Sequence, residues 1–324
     1  MPLLTPRKFV PPFGQFNGHW QTIIPSIFRK VKGVIYWRER IYTPDGDFLD
    51  LDWSKVGSNN KKVVLVSHGL EGSADRHYVR GVVKLFNENG WDACAWNCRS
   101  CSGEINWLPR FYHHADTPDI AFVMSHLLSA PEKYQEIVMV GFSMGGNLTL
   151  RYVGEKGELI SSRVKKAVAV STPIDLPGCV KELELPANLF YNKRFLKKIA
   201  KKVRLKAKIM PDKFSDAPMD KYNIQTLRPF DEHFTAPLHG FANADDFYEK
   251  AASLPLLPRI QVPTLLLNAK NDPFLSKDCY PNDLAKKHPF LFFEAPPIGG
   301  HVGFCIKQDS RTYAEIRALE FCSE

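Results

Sequence analysis

The sequence predicts an α/β fold in which a mostly parallel sheet carries helices on both faces. Short apolar runs typical of buried strands alternate with amphipathic stretches of helical period along most of the chain. One of these runs, residues 137–140, leads directly into a glycine-rich turn around Ser143 and then into a helical segment. The alternation stops once, between residues 173 and 258. These observations indicate an α/β core with a helical insertion.

The composition is that of an ordinary globular enzyme. Of the 324 residues, 44% are hydrophobic and 24% are charged, and the net charge of +8 permits an anionic partner without requiring one. No DNA-recognition motif accompanies this charge, so we predict no nucleic-acid partner. The chain starts without the apolar core of a signal peptide, and no run is long enough to span a bilayer. We therefore expect a cytoplasmic protein without an integral membrane segment.

The seven cysteines are expected to be reduced thiols in that compartment. Cys98 and Cys101 have the spacing of half a zinc site, but no second cysteine or histidine pair completes it. His113 and His114 are interpreted as surface or structural histidines without an assigned role. The sequence therefore predicts no metal site and no cofactor.

The predicted strands follow one another in a recognisable order. The first two read as a hairpin around the turn at residues 44–47, which makes the start of the sheet antiparallel. The later strands alternate with helices and are expected to be parallel. Strands are predicted at residues 34–42, 48–53, 62–67, 92–96, 137–140, 166–170, 263–267 and 291–294. Helices outside the insertion are predicted at residues 78–89, 117–129, 147–153, 281–287 and 310–322.

These elements divide the chain into three parts. Residues 1–172 are predicted to form the first part of the core, with a proline-rich, irregular arm at residues 1–32 whose apolar side chains pack against the body. Residues 173–258 are predicted to form a helical cap after the sixth of eight strands, and residues 259–324 the rest of the core. An antiparallel start, then alternation, then this insertion is the layout of the α/β-hydrolase fold.

Residues 141–145 read Gly-x-Ser-x-Gly and follow an apolar strand, which is the sequence form of a nucleophile elbow. Such a turn holds its serine in strained backbone geometry, and glycines are needed where strand and helix approach closely. The turn also points a helix N-terminus at the reacting centre. A small-residue turn that happens to contain serine is the simpler alternative. The strand before it and the helix after it favour Ser143 as a nucleophile.

A serine nucleophile needs a histidine base and an acid, which in this fold follow it in the order acid, histidine. His301 lies in a glycine-rich loop after the last predicted strand and is the expected base. Asp272 lies in a turn beyond the seventh strand, at the sheet edge where reacting groups gather, and is the expected acid. Asp175, after the sixth strand, is the competing acid. Taken singly, Asp272 also reads as a turn former and His301 as an ordinary loop residue.

An oxyanion hole requires two backbone N–H groups that point at the carbonyl oxygen under attack. Met144, the residue after the nucleophile, is expected to provide one of them. Leu70, in the loop after the third predicted strand, is expected to provide the other, with Gly69 as its neighbour. His68, in the same loop, is interpreted as a loop-shaping side chain rather than a second base.

Several short motifs together resemble the YheT-like family of α/β-hydrolases, which includes abhydrolase-domain esterases and phospholipases and plant EMB-type proteins. The resemblance covers nearly the whole chain and departs from the family pattern at Ser100, where glycine is usual. The motifs lie at residues 17–22, 68–73, 97–104, 141–147, 226–231, 271–273 and 299–304, and at Tyr248. The resemblance implies a serine hydrolase acting on carboxylic esters, with medium-chain acyl groups as the expected range.

Residues 192–204 of the predicted cap are rich in lysine. An apolar face is formed by Phe195, Leu196, Ile199, Ala200 and Val203, and the lysines take the other face of the helix. A solvated basic face is the simpler interpretation. The alternative is a weak contact between this helix and anionic lipid or acidic esters.

The sequence thus predicts a serine esterase that cleaves short- to medium-chain acyl esters through Ser143, His301 and Asp272, by way of an acyl-enzyme. The substrate is expected to be a small-molecule or lipid-like ester. An acyltransferase, or a lipase or phospholipase, would use the same three residues and is the alternative. A non-catalytic binding protein is a third reading, although such a protein would be expected to have lost one of the three. The oligomeric state is left open.

Overall fold

The computed structural model describes residues 3–129 and 134–324. Within these residues a single sheet is formed by β1 (Leu3–Leu4), β2 (Trp37–Tyr42), β3 (Phe48–Ser54), β4 (Lys62–Ser67), β5 (Asp92–Asn97), β6 (Glu136–Phe142), β7 (Val164–Val170), β8 (Thr264–Leu267) and β9 (Leu291–Glu294). Their order across the sheet is β1-β9-β8-β7-β6-β4-β5-β3-β2. Only the pairs β2–β3 and β3–β5 are antiparallel. The predicted mostly parallel sheet with an antiparallel start is confirmed.

The sheet has one strand more than the eight predicted. Leu3 pairs with Phe293 and Leu4 with Glu294, so two residues of the N-terminal arm form a parallel strand at the sheet edge. A run of two residues carries no periodicity from which a strand can be recognised. This strand exists because β9 offers it backbone partners, which is a property of the folded sheet and not of the segment.

Helices lie between the strands in the order α1 (Gly18–Phe28), α2 (His77–Glu88), α3 (Thr117–Leu128), α4 (Met144–Lys156), α5 (Leu176–Glu184), α6 (Leu189–Ile209), α7 (Ala217–Lys221), α8 (Leu227–Phe230), α9 (Ala236–His239), α10 (Ala244–Ala251), α11 (Asn282–Lys287) and α12 (Tyr313–Ser323). A π-helical turn, Asp231–Thr235, joins α8 to α9. The connection between β7 and β8, which carries α5 to α10, contains no strand among its residues, all of which are described. No helix in the described ranges is both long and apolar enough to cross a membrane.

Apolar side chains cover the sheet on both faces. Alternate residues of β4 serve opposite sides, because Val63 and Leu65 pack into one apolar cluster while Val64 and Val66 pack into another. The first cluster includes residues of α3 and α4, and the second includes residues of α2 and α12. Strands buried on both faces explain why these segments read as continuous apolar runs.

The N-terminal arm is not irregular throughout, because part of it forms α1. This helix begins after Asn17, whose side-chain oxygen accepts the Trp20 N–H at 3.1 Å. Pro25 lies inside the helix. Proline usually ends a helix, which is why this segment does not read as one in the sequence.

The arm packs against the body through polar side chains of α1 and through Phe9, whose ring stacks on that of Tyr313 with centroids 4.6 Å apart. Gln21 and Thr22 are buried, whereas Phe13, Phe16 and Phe28 are mostly exposed. The expectation that the arm's apolar side chains anchor it is therefore wrong for these three phenylalanines. The physical reason is that the surface beneath α1 consists of loops with backbone groups that need hydrogen-bond partners.

A buried ion network holds the loop after β5 against the β2–β3 hairpin. The Arg99 guanidinium lies 2.7 Å from a carboxylate oxygen of Asp119 and 2.9 Å from one of Asp47, and all three side chains are almost completely buried. The buried Asn106 amide donates to the same Asp47 carboxylate at 2.6 Å. Removing one partner of a buried pair costs about 3–5 kcal/mol, so the network fixes this loop firmly.

Ser100, in the same loop, stands where the YheT-like pattern has glycine. Its φ of 62° lies in the left-handed region that favours glycine. The side chain compensates for this strain. Ser100 Oγ donates to Asn106 Oδ1 at 2.6 Å and accepts the Asn106 N–H at 3.1 Å. Serine is therefore retained at a glycine position by two hydrogen bonds to one neighbour.

Two substitutions at Ser100 test this balance. In Ser100→Ala the backbone strain stays and the hydrogen bonds are lost, so we expect the free energy of unfolding to fall by about 1–3 kcal/mol. In Ser100→Gly the relief of strain, about 1–2 kcal/mol, offsets that loss, and we expect stability within about 1 kcal/mol of the wild type. Urea denaturation measures both. Equal destabilisation by the two variants would contradict the role given to the backbone.

Candidate active site

Ser143 lies at the end of β6, in the turn into α4. Its φ of 53° and ψ of −119° form a conformation that residues other than glycine rarely adopt. The turn is tightly enclosed. A Cβ added to Gly145 would lie 2.3 Å from the Ser67 carbonyl oxygen, and one added to Gly141 would lie 2.2 Å from the Gly145 carbonyl oxygen. Only glycine fits at both positions, which is the close approach that the Gly-x-Ser-x-Gly pattern predicts.

Hydrogen bonds join Ser143, His301 and Asp272. His301 Nε2 is 2.9 Å from Ser143 Oγ, and His301 Nδ1 is 2.9 Å from Asp272 Oδ2. The loops that carry Asp272 and His301 follow β8 and β9, so the three side chains gather at the carboxyl ends of parallel strands. The His301 and Asp272 side chains are almost completely buried. This geometry allows Ser143 to pass its proton to an imidazole whose other nitrogen is bound by a carboxylate.

Neighbouring groups hold the histidine and the acid in place. The His301 ring stacks on Phe274 with ring centroids 4.1 Å apart, and Asp272 Oδ1 accepts the Phe274 N–H at 2.9 Å. Asp175, the competing acid, caps the start of α5 and accepts the Ser276 hydroxyl at 2.6 Å. The structure therefore brings Asp272, and not Asp175, to the histidine.

The loop after β4 lies directly against the serine. A Cβ added to Gly69 would lie 3.1 Å from Ser143 Cβ. The Gly69 N–H donates to the Tyr78 hydroxyl at 3.1 Å. Within the described residues, neither the Leu70 N–H nor the Met144 N–H donates to a protein group. Two such N–H groups beside the serine suit an oxyanion hole, and the assignment of Leu70 and Met144 to it stays a prediction.

His68 is buried and orders this loop. Its Nδ1 lies 2.7 Å from the Gly69 carbonyl oxygen, and its Nε2 accepts the Cys98 N–H at 3.1 Å. Burial lowers the pKa of His68 to about 4, so the ring is neutral near pH 7. Because both ring nitrogens are engaged by the backbone, His68 shapes the loop in the way the sequence suggests.

An apolar cavity extends from Ser143 toward the helices between β7 and β8. It encloses about 1080 Å³ of empty space, its open mouth included. Its wall is mainly aliphatic and aromatic and includes Leu176, Val180, Leu183, Ile199, Phe230 and Phe234. A wall of this kind excludes water and favours a hydrocarbon chain.

His113 and His114 line this apolar cavity, so they are not surface histidines. Burial lowers the pKa of His113 to about 3 and that of His114 to about 4. The His113 ring lies against that of His239, with centroids 4.2 Å apart, and burial lowers the pKa of His239 as well. All three rings are therefore neutral near pH 7 and contribute to the cavity wall without adding charge.

A second cavity also reaches Ser143. It encloses about 760 Å³, its open mouth included, and lies between α1, α6 and the loop after β4. Five residues line both cavities: Leu70, Ser143, Phe195, Phe274 and His301. The wall of the second cavity carries three cationic side chains, Arg76, Arg194 and Lys198, whereas that of the first carries Lys202 alone. Ser143 therefore lies where an apolar space meets a positively charged one.

The predicted apolar face of α6 is present, but its basic face is not fully solvated. Its apolar face is present, since Leu196, Ala200 and Val203 are buried. Its basic face is only partly solvated, because Arg194 and Lys198 are half-buried in the wall of the second cavity. Helical periodicity alone could not show which cations are half-buried, because cations at the border of the basic face and at its centre look alike in the sequence.

Comparison with known proteins identifies the family. Residues 58–279, more than half of the chain, match the family described as serine aminopeptidase, S33. The candidate esterase YheT of Escherichia coli K12 is 33% identical over 300 residues, which cover 92% of this chain and 87% of that protein. The chain belongs to the YheT-like α/β-hydrolases. As a member of that family it is an enzyme of the hydrolase class.

More distant relatives of this α/β-hydrolase include enzymes that are named as lipases and phospholipases. The monoacylglycerol lipase of Saccharomyces cerevisiae is 29% identical, with 90% of this chain and 64% of that protein covered. The human phospholipase ABHD3 is 28% identical, with 94% of this chain and 75% of that protein covered. Among solved structures, the Pyrococcus furiosus esterase Pf2001 superimposes with a TM-score of 0.58 at 20% identity, covering 98% of both chains. That likeness shows the fold.

In this α/β-hydrolase, α1 fastens the loops after β8 and β9, a role that sequence analysis missed. Thr22 Oγ1 accepts the His301 N–H at 2.8 Å. Gln21 Oε1 accepts the Gly299 N–H at 2.8 Å and the Asn271 side-chain amide at 2.9 Å. The motif at residues 17–22 carries part of the resemblance, but a sequence pattern does not say what its side chains contact.

Replacing Gln21 tests this fastening. In Gln21→Leu the buried Gly299 N–H and the half-buried Asn271 amide lose their acceptor, so we expect the free energy of unfolding to fall by about 2–4 kcal/mol. We also expect labelling of Ser143 by a fluorophosphonate probe to slow about tenfold or more in the folded protein, because small displacements of reacting groups are costly. Gln225→Leu, at an exposed glutamine, is the matched control. Unchanged stability together with unchanged labelling would contradict the role of α1.

Proposed function

We propose that this protein is a serine hydrolase that cleaves carboxylic esters, with Ser143 as nucleophile, His301 as base and Asp272 as the acid that orients it. The observation that carries the proposal is the continuous hydrogen-bond chain from Asp272 through His301 to Ser143 at the base of an apolar cavity. The names of the relatives, an esterase, a monoacylglycerol lipase and a phospholipase, support ester substrates.

The proposed reaction has two steps. Ser143 Oγ attacks the ester carbonyl carbon while His301 Nε2 takes its proton, and the N–H groups of Leu70 and Met144 bind the charge that forms on the carbonyl oxygen. Collapse of this intermediate expels the alcohol, which receives the proton from His301. Water, deprotonated by His301, then attacks the acyl group on Ser143. Ser143 Oγ leaves with that proton, and the carboxylic acid is released. Asp272 holds the imidazole in the required tautomer and stabilises its cation.

The apolar cavity is proposed to hold the acyl chain. Each buried methylene contributes about 0.8 kcal/mol, so catalytic efficiency should increase with chain length until the cavity is filled. The resemblance implies short- to medium-chain acyl groups, and the apolar wall of the cavity suits a hydrocarbon chain. Esters of lipid alcohols are the second candidate class, and the names of the yeast and human relatives favour them. Acyl transfer would use the same residues with an alcohol or thiol in place of water.

Residues 173–258 are proposed to act as the cap of a core made of residues 1–172 and 259–324. Support comes from Asn147 in α4, whose side-chain amide donates to the carbonyl oxygens of His114 and Ala251 at 2.9 Å each. Its Oδ1 accepts the Ser253 N–H at 3.1 Å. One buried side chain thus links the helix after Ser143 to the end of the insertion. The insertion also supplies most of the wall of the apolar cavity, which is how lids set substrate choice.

Hydrolysis of p-nitrophenyl esters of increasing acyl length tests the proposed function. For Ser143→Ala we expect kcat/KM to fall on the order of a thousandfold or more, because the nucleophile is lost. Ser58→Ala, at an exposed serine, serves as the control and should leave turnover unchanged. We expect an optimum at short to medium chains. A wild-type protein that cleaves none of these esters, or a Ser143→Ala variant that cleaves them normally, would refute the proposal.

A further inference from the structure

Four cations of α6 follow one another at intervals of four residues: Arg194, Lys198, Lys202 and Lys206. Residues at this spacing lie along one side of a helix, and here that side is turned toward the body of the protein. Lys206 is completely buried and donates to Asn106 Oδ1 at 2.7 Å and the Leu108 carbonyl oxygen at 2.6 Å. The buried end of this row thus has defined structural partners.

The next cation of the row, Lys202, is paired with an acid. Lys202 Nζ lies 2.8 Å from Glu71 Oε1, and the Tyr112 hydroxyl donates to the same oxygen at 2.8 Å. One carboxylate oxygen of Glu71 therefore binds both Lys202 and Tyr112. The charge of Lys202 balances that of Glu71, so Glu71 offsets little of the charge of the cations farther along α6.

The two remaining cations of the row face the second cavity together with Arg76, which precedes α2, and none of the three has a counter-ion among the described residues. In the described part of the chain, Arg76, Arg194 and Lys198 have no carboxylate oxygen within 4.0 Å. Their contacts are to neutral oxygens. Arg76 donates to the Glu71 carbonyl oxygen at 2.9 Å, Lys198 to the same oxygen at 3.4 Å, and Arg194 to Ser26 Oγ at 3.4 Å. Two cations that share one carbonyl oxygen lie close together.

Three cations placed this close together repel one another. The pKa of Lys198 is lowered to about 8, first by burial and next by the charge of Arg76. The charge of Glu71 raises this pKa, but by less than Arg76 lowers it. A bound anion would remove this repulsion and favour the charged form of Lys198. Fold stability gives no reason to gather three cations around one opening, whereas binding of an anion does.

We propose that the second cavity binds a phosphate group carried by the alcohol half of the ester. The inference rests on the proposed function, in which the acyl chain fills the apolar cavity and the alcohol half occupies the other cavity that reaches Ser143. Two guanidinium groups offer paired N–H donors that match phosphate oxygens, and Lys198 adds a point charge. Three cations suit a doubly charged phosphate better than a single carboxylate. The phosphate stays on the alcohol, which leaves with the proton from His301.

The test compares esters with the same acyl chain and different alcohols. The substrates are 1-octanoylglycerol, 1-octanoylglycerol 3-phosphate and the corresponding glycerophosphocholine ester, each below its micelle concentration. For the wild type we expect kcat/KM for the phosphate monoester to exceed that for the neutral ester by about tenfold or more. If the phosphocholine ester is also cleaved in preference to the neutral ester, the result supports a phosphate site with room for a further substituent on the phosphate. A preference for the monoester alone supports a closed one.

Charge-removing variants assign this preference to residues. In the double variant Arg194→Gln/Lys198→Gln we expect the ratio of kcat/KM, phosphate over neutral ester, to fall about tenfold or more, mainly through KM. The matched control Lys197→Gln/Arg204→Gln removes the same charge from exposed positions of the same helix and should leave the ratio unchanged. If the double variant does not fold, Lys198→Gln alone, with Lys198→Arg as the variant that restores the charge, gives the same comparison.

The failures are distinguishable. Turnover of the neutral ester without any preference for the phosphate ester would overturn the phosphate site and leave the proposed ester hydrolase intact. The same conclusion would follow if the ratio of kcat/KM, phosphate over neutral ester, fell equally in Lys197→Gln/Arg204→Gln. If no ester is cleaved, the proposed function fails, and binding of glycerol 3-phosphate to the wild type and to the double variant decides the remaining question by calorimetry. Binding that the double variant loses supports the site, and no binding to the wild type overturns it.

Discussion

The turn at Ser143 is the constraint on which the rest of this structure depends. A residue with a Cβ takes a positive φ there, while the backbone of the adjoining strand and helix approaches too closely for side chains at Gly141 and Gly145. Strain of this kind costs on the order of 1–3 kcal/mol and persists only when the surroundings enforce it. The surroundings here are the central strands of the sheet, buried on both faces. A rigid sheet thus positions one hydroxyl, and every other group of the site is placed relative to it.

The histidine and the acid are held differently, through loops that have no regular structure of their own. Their backbone and side-chain groups find partners on α1, where Gln21 and Thr22 accept hydrogen bonds from both loops. A polar helix face is suited to this task, because buried N–H groups need acceptors and an apolar face offers none. This explains an arm that leaves several phenylalanines in water while burying a glutamine and a threonine.

The parts of the molecule that could be predicted from sequence are those with a local signal. Apolar runs located the eight longer strands, and the order of elements placed Asp272 and His301 on the loops where the structure has them. The missed features depend on distant partners. The strand at Leu3 exists only because β9 lies beside it. Pro25 makes the sequence of α1 look unlike a helix. The hydrogen-bond acceptors for the loop that carries His301 are recognisable only in three dimensions. For the same reason the lysines of α6 look alike in the sequence, although Lys206 is buried and Lys197 is exposed.

The fastening of the histidine loop by α1 also has a consequence for the order in which the protein becomes active. Thr22 and His301 are separated by 279 residues, so the contact that supports the imidazole closes a loop of nearly the whole chain. During synthesis the elbow strand and its serine emerge from the ribosome long before residue 301 does, and domains acquire long-range contacts only once both partners are available. A growing chain therefore carries a serine with no base beside it. The contact between Ser143 and His301 can form only after residue 301 has been synthesised.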